Sequence, residues 1–341
     1  MTTTRNERSD RAPAATGRKL DTPSLRCTLE TVRVALGRGR IKVMRRGGVG
    51  WKIVPVIAVL LGYPSTGEAQ AALVQSAGQA TTPSSMGMAD AQIASGIATS
   101  AMFLNPAGIA LGQVFHTEGW WGYSVNLERH VAGVAATDST TPVAGGLGFT
   151  YTYTGVDAEQ NNFYDLRTGI AMMFADMIAL GLNLKYVRAD YGDGIDSGHG
   201  SLNDFSLDAG ALFTYDRFFV GVTGTNVTNL DHPLAPLTLV VGGGLRLGPT
   251  RFEFDATLDW SGYDEVQAMG QKYAVGGELL IADSYVIRAG YRYETVPDVH
   301  GIAAGIGYVS SAVALDFGFQ QDLSGERSDS RLGLSFRYFV N

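Results

Sequence analysis

The sequence predicts an all-β fold: a transmembrane antiparallel β-barrel of about 14 strands with a small N-terminal helical plug. Three observations predict it. After Gly112, bulky apolar residues alternate with small or charged ones at a period of two, the mark of strands whose faces see different surroundings. The connections between those strands alternate between tight and long. The stretch Ser84–Leu111 is rich in Ala, Ser, Gly and Ile, nearly uncharged, and follows neither rule, so it reads as a body around which the barrel is wound.

Taken in order, residues 1–43 are polar, arginine-rich and aperiodic, a composition that cannot bury enough apolar surface to fold. They are expected to be a non-native or disordered extension. At Met44 the character changes. Arg45, Arg46 and Lys52 precede the apolar run Ile53–Tyr63, and Ala69-Gln70-Ala71 supplies a small-residue cleavage site. This is the layout of a secretory signal peptide, expected over 44–71, with translation beginning at Met44 and the mature chain at Ala72. The run is shorter than the roughly 20 residues that span a bilayer as a helix. No apolar run of that length follows, so a membrane location requires a closed barrel.

Residues 1–71 hold 13 of the 26 Lys and Arg and 5 of the 33 Asp and Glu, leaving 13 basic and 28 acidic side chains, a net charge of −15 on residues 72–341. A nucleic-acid partner needs a basic footprint and is excluded. The single cysteine, Cys27, falls in the expected leader, so the exported chain has no disulfide and is held by its backbone ladder and packing.

The plug is assigned to 72–111. Ala89–Ala101 is expected to form a short, slim helix. Asn105-Pro106 then stops and restarts the chain, because a residue before proline avoids the α region, asparagine caps helices, and proline suits a first turn.

The barrel is assigned to 112–341, with strands near 113–126, 128–138, 143–154, 162–174, 177–189, 203–215, 217–228, 236–248, 250–260, 271–282, 284–295, 300–309, 312–321 and 330–341. The softer boundaries of the first three leave 12 as the alternative count. Ile178, Leu180, Leu182, Leu184 and Tyr186 oppose Ala179, Gly181, Asn183 and Lys185; Phe252, Phe254, Ala256, Leu258 and Trp260 oppose Arg251, Glu253, Asp255 and Asp259. Tight turns are expected at Ala175-Asp176, Asp216-Arg217, Gly248-Pro249, Asp283-Ser284 and Ser310-Ser311, and longer polar loops at 188–203, 229–236, 261–271, 295–300 and 320–330. Short turns on one rim and long loops on the other fit an outer-membrane barrel. Tyr215, Phe218, Tyr285, Tyr308 and Tyr338 beside the short turns, and Tyr186, Trp260, Tyr273, Tyr293 and Phe319 near the long loops, fall where interfacial girdles form.

The Gly87-Met88-Ala89 turn, the alanine-rich run and Phe103-Leu104-Asn105-Pro106-Ala107-Gly108 resemble the N-terminal hatch of the long-chain fatty acid transporter (FadL) family and of the related PorV/PorQ-type barrels. The run Gly221–Asn229, Arg288-Ala289-Gly290-Tyr291-Arg292-Tyr293 and Gly305-Ile306-Gly307-Tyr308 are similar to later strands of the same barrels, so the resemblance covers about 84–341. Ala89 stands where the family often has a second glycine, and the outer loops are short for a fatty acid transporter. The resemblance implies a passive outer-membrane channel of a Gram-negative bacterium for fatty acids or similar hydrocarbons. Gly87, Asn105, Pro106 and Ala107 are the plug residues it carries over. The alternative it implies is a partner in protein secretion or surface attachment that binds exported proteins.

Chemistry is sparse. His116, His130, His199, His232 and His300 form no phospholipase-like His and Ser arrangement, and no nucleophile-elbow motif is present, so no enzyme is expected. The acidic loop Asp190–Asp196 has the oxygens for a weak cation site toward lipopolysaccharide but lacks EF-hand spacing, and a solvated loop is the favoured reading; no metal or cofactor is assigned. The inward charges, Lys185, Asp208, Arg246, Arg251, Glu253, Asp255, Asp259, Glu278, Arg288, Arg292, Asp316, Arg331 and Arg337, are expected to cross-pair in a hydrated lumen. Arg288 and Arg292 are the candidates for receiving a ligand carboxylate. The partners expected are outer-membrane lipid, lipopolysaccharide and a hydrophobic small molecule.

Overall fold

The computed structural model describes residues 81–154, 161–191, 201–230, 232, 234–260, 270–295, 298–324 and 328–340. The expected leader, the first part of the plug and most of the acidic loop lie outside these. Fourteen strands are present: β1 (Phe115–Ser124), β2 (Arg129–Asp138), β3 (Val143–Thr154), β4 (Asn161–Phe174), β5 (Ile178–Tyr191), β6 (Leu202–Tyr215), β7 (Phe218–Thr225), β8 (Thr238–Leu247), β9 (Thr250–Asp259), β10 (Gly270–Ile281), β11 (Tyr285–Glu294), β12 (Val299–Val309), β13 (Val313–Asp322) and β14 (Ser330–Val340). Each pairs antiparallel with its sequence neighbours, and β14 returns to β1 from Phe115↔Val340 to Ser124↔Arg331, so the sheet closes with no free edge.

The expected alternation places the small and charged face inward, as in the sequence reading. Leu182 is 51% exposed while its neighbour Asn183 is 0% exposed; Phe254 is 50% exposed while Glu253 is 1%. The bulky apolar face is the exterior, and the small and charged face is the interior. The tight turns carry left-handed backbone at Asp216 (φ 52°), Asp283 (φ 55°) and Gly248 (φ 59°), the geometry whose twist matches two-residue hairpins. No helix among the described residues is long and apolar enough to cross a membrane. A closed, even-stranded antiparallel barrel with an apolar exterior crosses a bilayer by its strands, because every backbone polar group is satisfied within the wall. This is a multi-pass membrane barrel.

Three expectations change. Of the helix expected over Ala89–Ala101 only the last four residues are helical, as the start of a later helix. The inner segment has helices α1 (Pro83–Met86) and α2 (Ala98–Leu104) and a 3-10 helix (Pro106–Leu111), with turns over 87–97. Left-handed backbone at Ala89, Asp90 and Ala98 breaks a helix there. Strand β7 stops at Thr225, short of the expected 228, because Asn226 turns left-handed and gives its N–H to Asp208 (2.9 Å). Arg246, expected in the lumen, is exposed at the short-turn end of β8.

Candidate functional site

Inside the barrel, the segment 82–112 follows the inner wall. Helix α1 lies on β12–β14, Met88 on β10 and β11, Ile93 and Ala94 on β7–β9, Asn105 and Pro106 on β5 and β6, and Ile109 on β4, while α2 faces β1–β3. Its backbone can approach this closely because the wall presents glycines. A Cβ on Gly290 would stand 2.4 Å from the Met88 carbonyl carbon, one on Gly181 2.3 Å from that of Pro106, and one on Gly318 2.3 Å from the Pro83 oxygen. These glycines pair across strands: Gly181↔Gly210, Gly221↔Gly242, Gly276↔Gly290, and the row Gly305↔Gly318↔Gly333. The alternating glycines of the sequence are thus the bed of the inner segment.

The arcs differ in chemistry. Against β1–β7 the segment packs apolar side chains, Met102, Phe103 and Ile109 among them, on small inward residues such as Ala135, Ala144, Ala171 and Ala179. Against β9–β14 charged and polar contacts are added to the packing on glycine. Ile93 N–H donates to Asp255 (3.0 Å) and Ala94 N–H to Glu253 (2.5 Å), and Lys272 pairs with Asp90 at 2.9 Å. Gln320 donates to the Met86 carbonyl at 3.1 Å. Backbone N–H groups at 93 and 94 that a helix would have satisfied internally are taken by wall carboxylates instead.

Asn105 is fully buried and does two jobs. Its side-chain oxygen accepts from Ala107 N–H (3.1 Å), capping the 3-10 helix as expected from Asn-Pro. Its amide nitrogen donates to the carbonyls of Ile93 (3.1 Å), Ala211 (3.3 Å) and Val222 (3.4 Å), linking the segment to itself and to β6 and β7. Pro106 and Ala107 sit beside Gly181, whereas Gly87 touches Gly305 on another arc, its added Cβ 3.0 Å from that Cα. Met102 C=O is held by Arg167 (3.0 Å) and Asn183 (2.8 Å), and the Arg167 guanidinium stacks over Phe103 at 4.9 Å. The sequence reading of plug residues did not include these wall partners, because nothing local marks which inward residue meets which turn.

The inward charges cross-pair. Arg251 meets Glu278 (3.1 Å), Glu278 meets Arg288 (2.7 Å), Arg288 meets Asp316 (2.5 Å), Asp316 meets Arg337, and Arg337 reaches Glu118 (3.5 Å). Glu118 in turn accepts from the Thr99 hydroxyl of α2 (2.5 Å). Arg292 pairs with Glu294 (2.6 Å) and with Asp322. Both candidate arginines therefore already face two carboxylates each, which an incoming carboxylate would have to displace. Burial alone would raise the Asp90 pKa, but Lys272, Arg331 and Arg292 outweigh it and hold the carboxyl below its ordinary value. On the long-loop side, residues 234 and 235 of the connection after β7 are buried. Leu234 and Ala235 pack there on Phe163, Val187, Ala189 and Leu202.

No protein-family model matches the sequence, and no curated protein matches it. Solved structures do. The CymD monoaromatic hydrocarbon channel superposes with a TM-score of 0.61 over 76% of this chain and 98% of that chain, at 15% identity. The toluene transporter TbuX of Ralstonia pickettii gives 0.57 over 77% and 99%, at 13% identity. A FadL homologue of Pseudomonas aeruginosa gives 0.57 over 76% and 98%, at 13% identity. This chain has the FadL-type fold. At these identities the likeness is one of architecture, and the FadL-type barrel here has 14 strands, as expected.

Proposed function

We propose that this FadL-type barrel is a passive outer-membrane channel for hydrophobic small molecules, fatty acids or other hydrocarbons, with residues 82–112 as its gate. The observation that carries the reading is the seating of that segment around the inner wall on paired glycines, with Asn105 fastening it to β6 and β7. Structural neighbours described as hydrocarbon channels and toluene transporters support it. The apolar patch around Phe163 and Leu234 provides a surface on which an apolar ligand is received from the loop side. On the β9–β14 side the segment is held by the Lys272–Asp90 pair and by backbone N–H bonds to Asp255 and Glu253 that water can replace, while apolar packing keeps it attached to β1–β7. Nothing among the described residues favours the alternative of a secretion partner.

The test is uptake of a labelled long-chain fatty acid and of toluene by bacteria lacking their own transporter, combined with ion conductance of the purified protein in planar bilayers. The wild type is expected to confer uptake of an apolar probe while conducting ions poorly. Asn105→Ala, which leaves the Ala211 and Val222 carbonyls without that donor, is expected to raise conductance several-fold with heat-modifiable gel migration retained. Open conductance in the wild type that Asn105→Ala leaves unchanged, or no uptake of either probe by a folded barrel, overturns the reading.

A further inference from the structure

On the lipid-facing surface a groove of about 850 Å³ crosses β11, β12, β13, β14 and β1. Strand register defines it. One wall is the cross-strand row Tyr285↔Tyr308↔Leu315↔Phe336↔Gly119; the other is Ile287↔Ile306↔Phe317↔Leu334↔Trp121, two residues along. Gly119 interrupts the first row, and a Cβ built there meets nothing within 4 Å, so a row of large side chains ends in a gap. Five strands at a spacing of about 4.8 Å make the groove about 19 Å long.

The row is also inclined. Tyr285 is the first residue of β11, at the short-turn rim, whereas Gly119 lies four residues past Phe115, the first of β1. Four residues of strand amount to about 13 Å along the strand, which at a tilt of about 40° is a climb of about 10 Å. One leaflet of hydrocarbon is about 15 Å deep, half of a core of about 30 Å. The short-turn rim is the periplasmic one. The groove therefore starts at the headgroup level of the inner leaflet, beside two tyrosines whose rings suit that level, and reaches about two thirds of the way into that leaflet, alongside most of an acyl chain.

We propose that this groove is a binding site for one acyl chain of an inner-leaflet phospholipid, with the headgroup beside Tyr285 and Tyr308 and the chain running to Gly119 and Trp121. The chemistry that recognises it is shape and apolar contact along the chain, with the tyrosine hydroxyls facing the headgroup. The site is on the outside of the wall and stands apart from the path through the lumen, so it holds whether or not the barrel transports hydrocarbons.

Native mass spectrometry of the full-length protein, extracted from outer membranes in non-ionic detergent, tests it. The wild type is expected to retain one phospholipid. Gly119→Phe fills the gap and is expected to lower retention about tenfold, the loss of contact with roughly two methylenes. Ala289→Phe, outward on β11 but off the groove, is expected to retain lipid as the wild type does. A second measurement needs no folded variant at 119: in vesicles containing chain-brominated phosphatidylcholine, a component of the tryptophan quenching is expected to saturate at a low fraction of brominated lipid and to be lost in Trp121→Phe, leaving the quenching of Trp260 that tracks bulk lipid. No phospholipid on the wild type, equal retention by Gly119→Phe, quenching that only tracks bulk lipid, or a dimer covering this face overturns the proposal.

Discussion

At the scale of single residues, partnership decides what an inward charge can do. Arg288 sits between Glu278 and Asp316, 6% exposed, so it acts first as the bridge of an ionic chain across the wall. Removing one member of a buried ion pair leaves the others uncompensated, at a cost of about 3–5 kcal/mol. Arg288→Ala is expected to lower barrel stability by that order in urea unfolding followed by tryptophan fluorescence. Asp90 gives a pH dependence. Its carboxyl is held below the ordinary 3.8 by Lys272, Arg331 and Arg292 despite burial. A depressed carboxyl contributes stability that is present above the ordinary value and lost as pH falls through the depressed one. The protection factors for hydrogen exchange at 86–92, corrected for the intrinsic rate at each pH, are therefore expected to be high at neutral pH and to fall below about pH 4. Asp90→Asn is expected to exchange faster throughout and to lose that acid step.

At the scale of elements, the wall and the inner segment are fitted to each other through glycine. The row Gly305↔Gly318↔Gly333 and the pair Gly276↔Gly290 lie on strands separate in sequence, and only register aligns them. A side chain at Gly290 has no room, since its first carbon would stand 2.4 Å from Met88 backbone. Gly290→Leu is expected to lift the segment from β10 and β11, raising ion conductance and protease cutting near Met88 while the strands still close. The seven-residue helix α2 and the short 3-10 helix are too small to be stable alone. They persist because Asn105 caps one and β1–β7 cover both.

At the scale of the whole molecule, the bilayer is the solvent that sets the exterior. Leu182 faces lipid in β5 and its neighbour Asn183 faces inward. Leu182→Arg is expected to destabilise the barrel by about 2–4 kcal/mol if it sits near the midplane, measured by reversible unfolding in lipid vesicles. The inward Asn183 instead donates to Met102, so Asn183→Leu is expected to disturb the inner segment more than the wall. Much of this architecture was legible in the sequence because it is local: a period of two assigns each residue of β5 or β9 to a face, and left-handed backbone at Asp216 and Gly248 belongs to turns two residues long. The Asn105-Pro106 restart was legible for the same reason. Three things depended on the closed tertiary structure. Residues 87–97 became turns because Asp255 and Glu253, on a strand far along the chain, take the N–H groups of Ile93 and Ala94. Arg288 and Arg292 became members of ion networks because β10, β11 and β13 bring carboxylates to them. The outer groove exists because register sets Gly119 beside Phe336. The sequence by itself determined strands, faces and closure, which follow from each residue's own neighbours. Only the folded barrel decided the inner partners, since a hydrogen bond or ion pair between distant residues is chosen by whatever the closed wall brings within reach.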